Sequence, residues 1–196
     1  MIDHKFPLIT ACLLILLFCN SAMANHGASE PTDGTVNSFR WFSPPRYLDE
    51  VIVHDRNNKL VSLSQFKNKI VLLNLWASWC PPCIKELPEL DQLQKRLGSD
   101  DFLVVAISVD EDPKLAHEMF TDKLSLKNLK LYIEPGKNIS SHFPVDVLPS
   151  NFFINRKGQA IGILRSYVDW GSPEADQLIK RLVDGVDIKT LIDEKK

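Results

Sequence analysis

Two apolar runs separated by a helical pattern constrain the fold of this chain most strongly. Residues 70–75 and 102–109 contain almost no polar side chain, which is typical of strands buried on both faces of a sheet. Between them, leucines recur every three to four residues from Leu87 to Leu97, and Gly98 is a natural helix end. A strand, a helix and a second strand in this order predict a parallel β-α-β unit.

Further patterns extend this unit in both directions. Residues 51–53 and 59–61 predict a hairpin ahead of it, and residues 150–154 and 159–164 predict an antiparallel hairpin after it. The other predicted elements are a helix, a strand and a last helix capped by Ser172, over residues 113–124, 129–133 and 173–185. The expected fold class is α/β, with a central mixed sheet covered by helices, an N-terminal β-hairpin and a central α-β insertion.

The N-terminus has the pattern of a secretory signal peptide. A basic start at Lys5 precedes the apolar residues 8–18 and a small-residue ending at Ala22 and Ala24. Cleavage after Ala24 is expected. The apolar core would be about 16 Å long as a helix, too short to span the ~30 Å hydrocarbon core of a membrane. We therefore expect a protein exported to the periplasm that is not an integral membrane protein after cleavage.

The rest of the chain divides by composition. Residues 25–43 are predicted to be a flexible leader, residues 44–185 a single domain and residues 186–196 a tail. Three aromatic side chains within residues 39–42 could dock on the domain or on a partner. Twenty-three basic residues against 25 acidic ones leave no excess for a polyanion, and no Lys/Arg cluster is present. No nucleic-acid partner is therefore expected.

Cleavage would leave two cysteines, Cys80 and Cys83, at the predicted N-terminus of a helix. A disulfide that closes so small a loop is a poor staple, so redox chemistry explains the pair better. The nucleophile in disulfide exchange is a thiolate, which a helix N-terminus stabilises. We predict that Cys80 is the exposed attacking sulfur and that Cys83, one turn inside the helix, is the resolving one. A zinc site needs two more ligands, and no two histidines have ligand spacing, so neither a metal nor another cofactor is expected.

Residues 44–184 resemble the thioredoxin superfamily, in particular its exported TlpA/ResA-like branch, which includes the cytochrome c-maturation thioredoxins. The matching features are the lead-in 72–79, Glu86 three residues after the second cysteine, Pro88, the segment 148–158 and the insertion 110–147. The resemblance implies a thioredoxin fold, in which a central mixed sheet lies between helices in three αβα layers.

The resemblance also assigns roles to residues around the cysteines. It implies proton transfer by Glu86 and a substrate contact by Trp79. It implies a cis peptide bond before Pro149, which leaves the backbone of Leu148 free to pair with an extended substrate. Asn74 stands where the wider superfamily has a buried Asp. Because Asn does not titrate, the proton has to travel through Glu86 or water.

Taken together, these features resemble a thiol:disulfide oxidoreductase that uses Cys80 and Cys83 as a redox disulfide. The resemblance implies reduction of selected exported proteins, such as apocytochrome c or a metal-site assembly factor. A reductase in an oxidising compartment needs electrons, so a membrane thiol donor is an implied partner. Two alternatives stay open. One is the same chemistry run as an oxidase or isomerase; the other is a Cu(I)-binding module that holds the metal on both thiolates, with His142 as a candidate third ligand.

Overall fold

A mixed β-sheet organises the residues that the structure, a computed structural model, describes: 35–48, 51–134, 139, 143 and 145–185. Its eight strands are β1 (Arg40–Tyr47), β2 (Ile52–Asp55), β3 (Leu60–Ser62), β4 (Ile70–Trp76), β5 (Phe102–Ser108), β6 (Lys130–Ile133), β7 (Ser150–Ile154) and β8 (Gln159–Arg165). They are ordered β1-β8-β7-β4-β5-β6-β2-β3, so that β1 and β3 form the edges. The pairs β4/β5 and β5/β6 are parallel, and the other pairs are antiparallel. The predicted α/β class and mixed sheet are confirmed.

The described helices are α1 (Pro81–Leu97), α2 (Pro113–His117) and α3 (Pro173–Val183). Each begins with proline, whose missing N–H costs nothing in the first turn because that position has no intrahelical acceptor. Ser172 caps α3 as predicted, since its side chain accepts a hydrogen bond from the N–H of Ala175. These local features explain why both long helices begin where the sequence indicates.

β4 is buried on both faces and separates two apolar clusters. Leu72 and Trp76 point toward the cluster that includes α1 and α3, whereas Leu73 and Leu75 point toward the other. The first cluster takes Leu87, Leu90 and Leu93 from α1 and Ile179 and Leu182 from α3. Each fully buried leucine contributes about 2 kcal/mol through the area removed from water. The second cluster is closed by Leu48, Val51, the 3₁₀ turn Leu63–Phe66, Ile139 and Phe143.

The predicted flexible leader, residues 25–43, extends too far, because its last residues belong to the strand β1. The strand begins at Arg40 and pairs antiparallel with β8, where Trp41 lies opposite Gly162. The ring of Phe39 lies 4.6 Å from that of Trp41 and 5.0 Å from that of Phe153, measured between centroids. A Cβ atom at Gly162 would overlap the Phe39 ring, so this glycine makes room for it. The aromatic segment therefore docks on the domain, because burying these rings outweighs the freedom of a loose leader.

The central insertion contains less α-helix than the predicted span 113–124. After five residues α2 widens into a π-helical turn, Glu118–Lys123, in which the N–H of Leu124 donates to the carbonyl of Met119. The turn places the Phe120 ring 6.2 Å from that of Trp76 at the end of β4. The predicted strand and N-terminal hairpin are both present, with β2 of the hairpin pairing with β6 of the insertion.

Some sequence predictions lie outside the described residues. They are the signal peptide 1–24, the first part of the leader, His142 and the tail 186–196. None of the helices in the described part of the chain is both long and apolar enough to cross a membrane.

Candidate active site

The two cysteines lie where β4 ends and α1 begins. Cys80 is the N-cap of α1, and its Sγ accepts a hydrogen bond from the backbone N–H of Cys83 at 3.3 Å. The two residues form a disulfide with their Cα atoms 5.3 Å apart. Pro81 and Pro82, the first two helical residues, have no N–H to offer. Cys83 is thus the first residue of the helix whose N–H can stabilise the Cys80 sulfur.

The Cys80 side chain is less accessible than predicted. It is 5% exposed, against 0% for Cys83, so the first cysteine is only slightly the more accessible. The prediction of an exposed attacking sulfur is corrected on this point, because Cys80 packs in the same apolar cluster as Trp76. The neighbouring Trp79, by contrast, is 67% exposed. A large exposed aromatic side chain next to a disulfide is available for contact with another protein.

Asp110 anchors the turn that leads into Cys80. Its carboxyl group accepts hydrogen bonds from the N–H of Ser78 at 3.0 and 3.1 Å and from the Ser78 hydroxyl at 2.8 Å. The hydroxyl of Ser108, at the end of β5, donates to the same carboxyl group at 2.7 Å. Asp110 is not among the site residues predicted from the sequence. The available signal was its position directly after β5, because parallel neighbours such as β4 and β5 end at the same edge of a sheet.

Glu86, one turn after Cys83 on α1, is completely buried. Its carboxyl group accepts four hydrogen bonds: Oε1 from Trp170 Nε1 at 2.6 Å, Asn151 Nδ2 at 2.9 Å and the Val168 N–H at 3.3 Å, and Oε2 from Asn74 Nδ2 at 3.3 Å. Burial raises the pKa of Glu86 to about 8, because the loss of hydration outweighs the hydrogen bonds that favour the ionised form. A carboxyl group with a pKa in this range can take up and release a proton near neutral pH.

Asn74 and Asn151 form an amide pair beneath Glu86. They are cross-strand neighbours on β4 and β7, and Asn74 Nδ2 donates to Asn151 Oδ1 at 2.8 Å. Both amides also donate to Glu86. Asn74 Oδ1 is buried and has no hydrogen-bond partner among the described residues. The sequence pointed to Asn74 and Glu86 but not to Asn151, whose only local signal is its place between Ser150 and the apolar residues of β7.

A loop after β8, residues 166–170, lies against α1. The Tyr167 hydroxyl donates to Glu89 Oε1 at 2.8 Å, and the Trp170 N–H donates to Glu89 Oε2 at 3.2 Å. Lys85 Nζ lies 3.8 Å from the centroid of the Tyr167 ring, a cation–π contact. Together with the two bonds to Glu86, these contacts fix the loop that supplies Trp170. No local pattern indicates them, because they join residues about 80 positions apart.

Pro149 precedes β7, and the peptide bond that joins it to Leu148 is cis, as the resemblance implies. Its carbonyl accepts a hydrogen bond from the N–H of Ser166 at 2.8 Å, which ties it to the loop that holds Glu86. Leu148 is half-buried. In the part of the chain that the structure describes, the Leu148 N–H and C=O make no hydrogen bond. They are therefore available to an extended chain.

The reactive side chains at this site are the two cysteines of a redox dithiol. Within the described residues, no group of three or more His, Cys, Asp or Glu side chains is placed to hold a metal ion. The chemistry that the geometry provides is disulfide exchange at the two sulfurs, with a titratable carboxyl group behind them.

Known proteins resemble the chain in both sequence and structure. The profile of the Redoxin family matches residues 37–179. Thiol-disulfide oxidoreductase ResA of Bacillus subtilis is 31% identical over 113 residues, which are 58% of this chain and 62% of the relative. ResA of Geobacillus kaustophilus is 30% identical over 163 residues, 83% of this chain and 88% of the relative.

The structural comparison agrees. The exposed lipoprotein thioredoxin of Streptococcus pneumoniae superposes with a TM-score of 0.58 at 25% identity, covering 67% of this chain and 98% of the other. The chain thus spans less than two thirds of the Bacillus subtilis relative, but most of the Geobacillus one. The expected thioredoxin fold is confirmed. The chain belongs to the Redoxin family and is a ResA-like member of the thioredoxin superfamily.

Proposed function

We propose that this chain is a thiol–disulfide oxidoreductase that reduces disulfides of exported proteins through Cys80 and Cys83. The observation that carries the proposal is a cysteine pair at a helix N-terminus with a buried, protonatable carboxyl group, Glu86, one turn behind it. The names of the ResA relatives support the same activity.

The first step forms a mixed disulfide. The Cys80 thiolate attacks one sulfur of the substrate disulfide, an S–S bond forms between them, and the other substrate sulfur leaves as a thiolate that takes up a proton. The N–H of Cys83, 3.3 Å from Cys80 Sγ in the oxidised protein, is placed to stabilise the attacking thiolate. Cys80 attacks because it is the sulfur nearer the surface.

The second step releases the reduced substrate. Cys83 loses its proton and attacks Cys80 Sγ, the Cys80–Cys83 disulfide forms, and the second substrate sulfur leaves as a thiolate. Two electrons have then passed from the protein to the substrate. Glu86, in its ionised form, is the group we assign to accept the Cys83 proton, since it lies on the same face of α1 and its pKa is raised to about 8.

Three residues form the proposed docking surface for the substrate chain. The backbone of Leu148 beside the cis peptide bond of Pro149 offers an N–H and a C=O to an extended segment. The exposed ring of Trp79 offers apolar area next to Cys80. Such a surface accepts a polypeptide through its backbone and one or two side chains, which fits selected disulfide-containing proteins as substrates.

The compartment and the electron source belong to the same proposal. The sequence pattern of residues 1–24 supports export to the periplasm, with cleavage after Ala24. Regeneration of the dithiol there needs a membrane thiol donor, because the compartment is oxidising. Apocytochrome c and metal-site assembly factors are the substrate classes that the resemblance favours.

Trapping of mixed disulfides tests the proposal and the roles of the two cysteines. Cys83→Ser should accumulate mixed disulfides with exported proteins, because the resolving sulfur is missing, whereas Cys80→Ser should accumulate none. The double variant is the matched control. Adducts on Cys80→Ser but not on Cys83→Ser would reverse the assigned roles. Adducts on neither variant, together with no turnover of a disulfide substrate by the unaltered chain, would refute the activity.

A further inference from the structure

A buried acceptor on the α1 side of β4, Asn74 Oδ1, is left without a hydrogen bond by the described residues of the oxidised protein. Asn74 is 1% exposed, and its Nδ2 donates to both Asn151 Oδ1 and Glu86 Oε2. Its Oδ1 has no hydrogen-bond partner among the described residues. Buried acceptors are nearly always satisfied, and an unpaired one destabilises the state in which it occurs. An acceptor of this kind can be satisfied by a donor that arrives in another state of the site.

Asn74 lies on the same side of β4 as the two cysteines. Asn74 lies on β4 between Leu72 and Trp76, whose side chains share an apolar cluster with both cysteines. Its Nδ2 contacts Glu86, three residues beyond Cys83 on the same face of α1, a rise of about 4.5 Å along the helix. Within an amide group the oxygen and the nitrogen lie on different sides of the carbon. Since the nitrogen is occupied by Asn151 and Glu86, the oxygen can accept a hydrogen bond from a different group.

Reduction creates a donor at Cys83. In the disulfide, neither sulfur carries a hydrogen. When a dithiol donor reduces the pair, the Cys80–Cys83 bond breaks, a disulfide forms in the donor, and two electrons pass to the protein. Cys83 Sγ then takes up a proton and becomes a buried thiol. A buried S–H group gains stability from an acceptor in its apolar surroundings.

We propose that Asn74 is a positioning residue for the reduced state, in which its Oδ1 accepts the thiol hydrogen of Cys83 while its Nδ2 stays on Glu86. The inference rests on the proposed redox function and adds a residue to it. Asn74 does not titrate, so it carries no proton itself. It holds the two groups that exchange the proton, the Cys83 thiol and the Glu86 carboxyl group, on either side of one amide.

The charged and titratable groups around this pair come from several elements. α1 supplies Glu86, Glu89 and the two cysteines, and the loop after β8 supplies Tyr167 and Asp169. β4 and β7 face Glu86 with the two uncharged amides. The proposed hydrogen bond is best measured directly on the thiol, because a titration curve would combine all these groups.

The S–H stretching band of Cys83 provides that measurement. A hydrogen-bonded thiol absorbs at lower frequency than a free one, in a spectral region with little protein background. In the full-length Cys80→Ala protein, the infrared difference spectrum against Cys80→Ala/Cys83→Ser isolates the Cys83 band. We expect the low-frequency, hydrogen-bonded band when Asn74 is present and a shift to higher frequency in Asn74→Leu. Asn74→Asp keeps an oxygen acceptor at the position and should retain the low-frequency band.

Trp170→Phe is the matched control. It removes a donor to Glu86 as Asn74→Leu does, but the Trp170 indole donates to Glu86 and not to Asn74. The S–H band should therefore stay at its low frequency in Trp170→Phe. An equal shift in both variants, or no shift in Asn74→Leu, overturns the inference.

Two further outcomes remain informative. If Asn74→Leu does not fold, the band of Cys80→Ala itself decides, because a free-thiol frequency in that protein refutes the bond. If Cys80→Ala shows a free-thiol frequency but the unaltered protein reduces disulfides, only the role of Asn74 is refuted. If Cys80→Ala shows the hydrogen-bonded band but Cys83→Ser forms no mixed disulfide, the oxidoreductase function is refuted and the hydrogen bond is not.

Discussion

Replacement of Glu86 by glutamine should stabilise the oxidised protein in alkaline solution while it slows disulfide reduction. The Glu86 side chain is completely buried, and its pKa is raised from 4.5 to about 8, chiefly by the loss of hydration. Between these two values the folded protein keeps a proton that the unfolded chain has released. Stability therefore falls as the pH rises through this window, and the loss is complete above the folded-state pKa.

The pKa values set the size of the effect. At ~1.4 kcal/mol for each pKa unit, the rise from 4.5 to about 8 lowers the free energy of unfolding by about 4–5 kcal/mol at alkaline pH. Glutamine has no such loss, but its Nε2 would face Asn74 Nδ2, where Oε2 now accepts a hydrogen bond. Two donors facing each other offset about 1 kcal/mol of the gain. A net stabilisation of about 3–4 kcal/mol is expected above the Glu86 pKa, and a destabilisation of about 1 kcal/mol in mild acid, where the gain is absent.

Urea unfolding of the oxidised protein across this pH range measures the difference. Glu111→Gln is the matched control, because it removes an exposed carboxyl group that does not contact Glu86 and should keep the pH dependence of the unaltered protein. Parallel pH profiles for Glu86→Gln and the unaltered protein would refute the assignment of a buried, protonated carboxyl group. Single-turnover kinetics near neutral pH check the second half of the prediction, a slower release of substrate by Glu86→Gln.

Three further measurements test other parts of the structure. Gly162→Ala should destabilise the protein by about 2 kcal/mol in chemical unfolding, because its Cβ would overlap the Phe39 ring; Phe39→Ala in the same chain should recover part of the loss. Asp91→Ala should cost about 3 kcal/mol, because one carboxyl group accepts the backbone N–H groups of residues 127–129; unchanged unfolding would contradict that role. Equilibration with glutathione should give the Cys80–Cys83 pair a reduction potential below about −200 mV, because Pro81 and Pro82 offer no backbone N–H to the Cys80 thiolate. A potential of about −120 mV would favour the oxidase alternative.

The sequence was most informative where the physical cause is local. Buried strands β4 and β5, the leucine repeat of α1 and the Ser172 cap of α3 each follow from a few adjacent residues, and each is found in place. The cysteine pair at the start of α1 follows from the same reasoning. Residues at these positions determine their own secondary structure almost independently of the rest of the chain.

The rest of the site depends on packing between distant segments. Trp170 donates to Glu86 across 84 positions, and Asn151 lies 77 positions from Asn74. The burial of Cys80 and the docking of Phe39 likewise depend on which surfaces meet in the folded sheet. Periodicity and capping carry no information about such contacts, so the elements around the cysteines were predictable and the surroundings of Glu86 were not.

The outer edge formed by β1 has a consequence for solubility. An edge strand offers unpaired N–H and C=O groups on which a strand of another molecule can build. Pro44 and Pro45 lie in the middle of β1 and have no N–H, and the pairing with β8 shifts register between Trp41 and Arg46. A second copy would meet a strand that lacks two backbone N–H groups and has an irregular backbone. The strand that closes the sheet over the aromatic rings therefore also makes it a poor template for edge-to-edge aggregation.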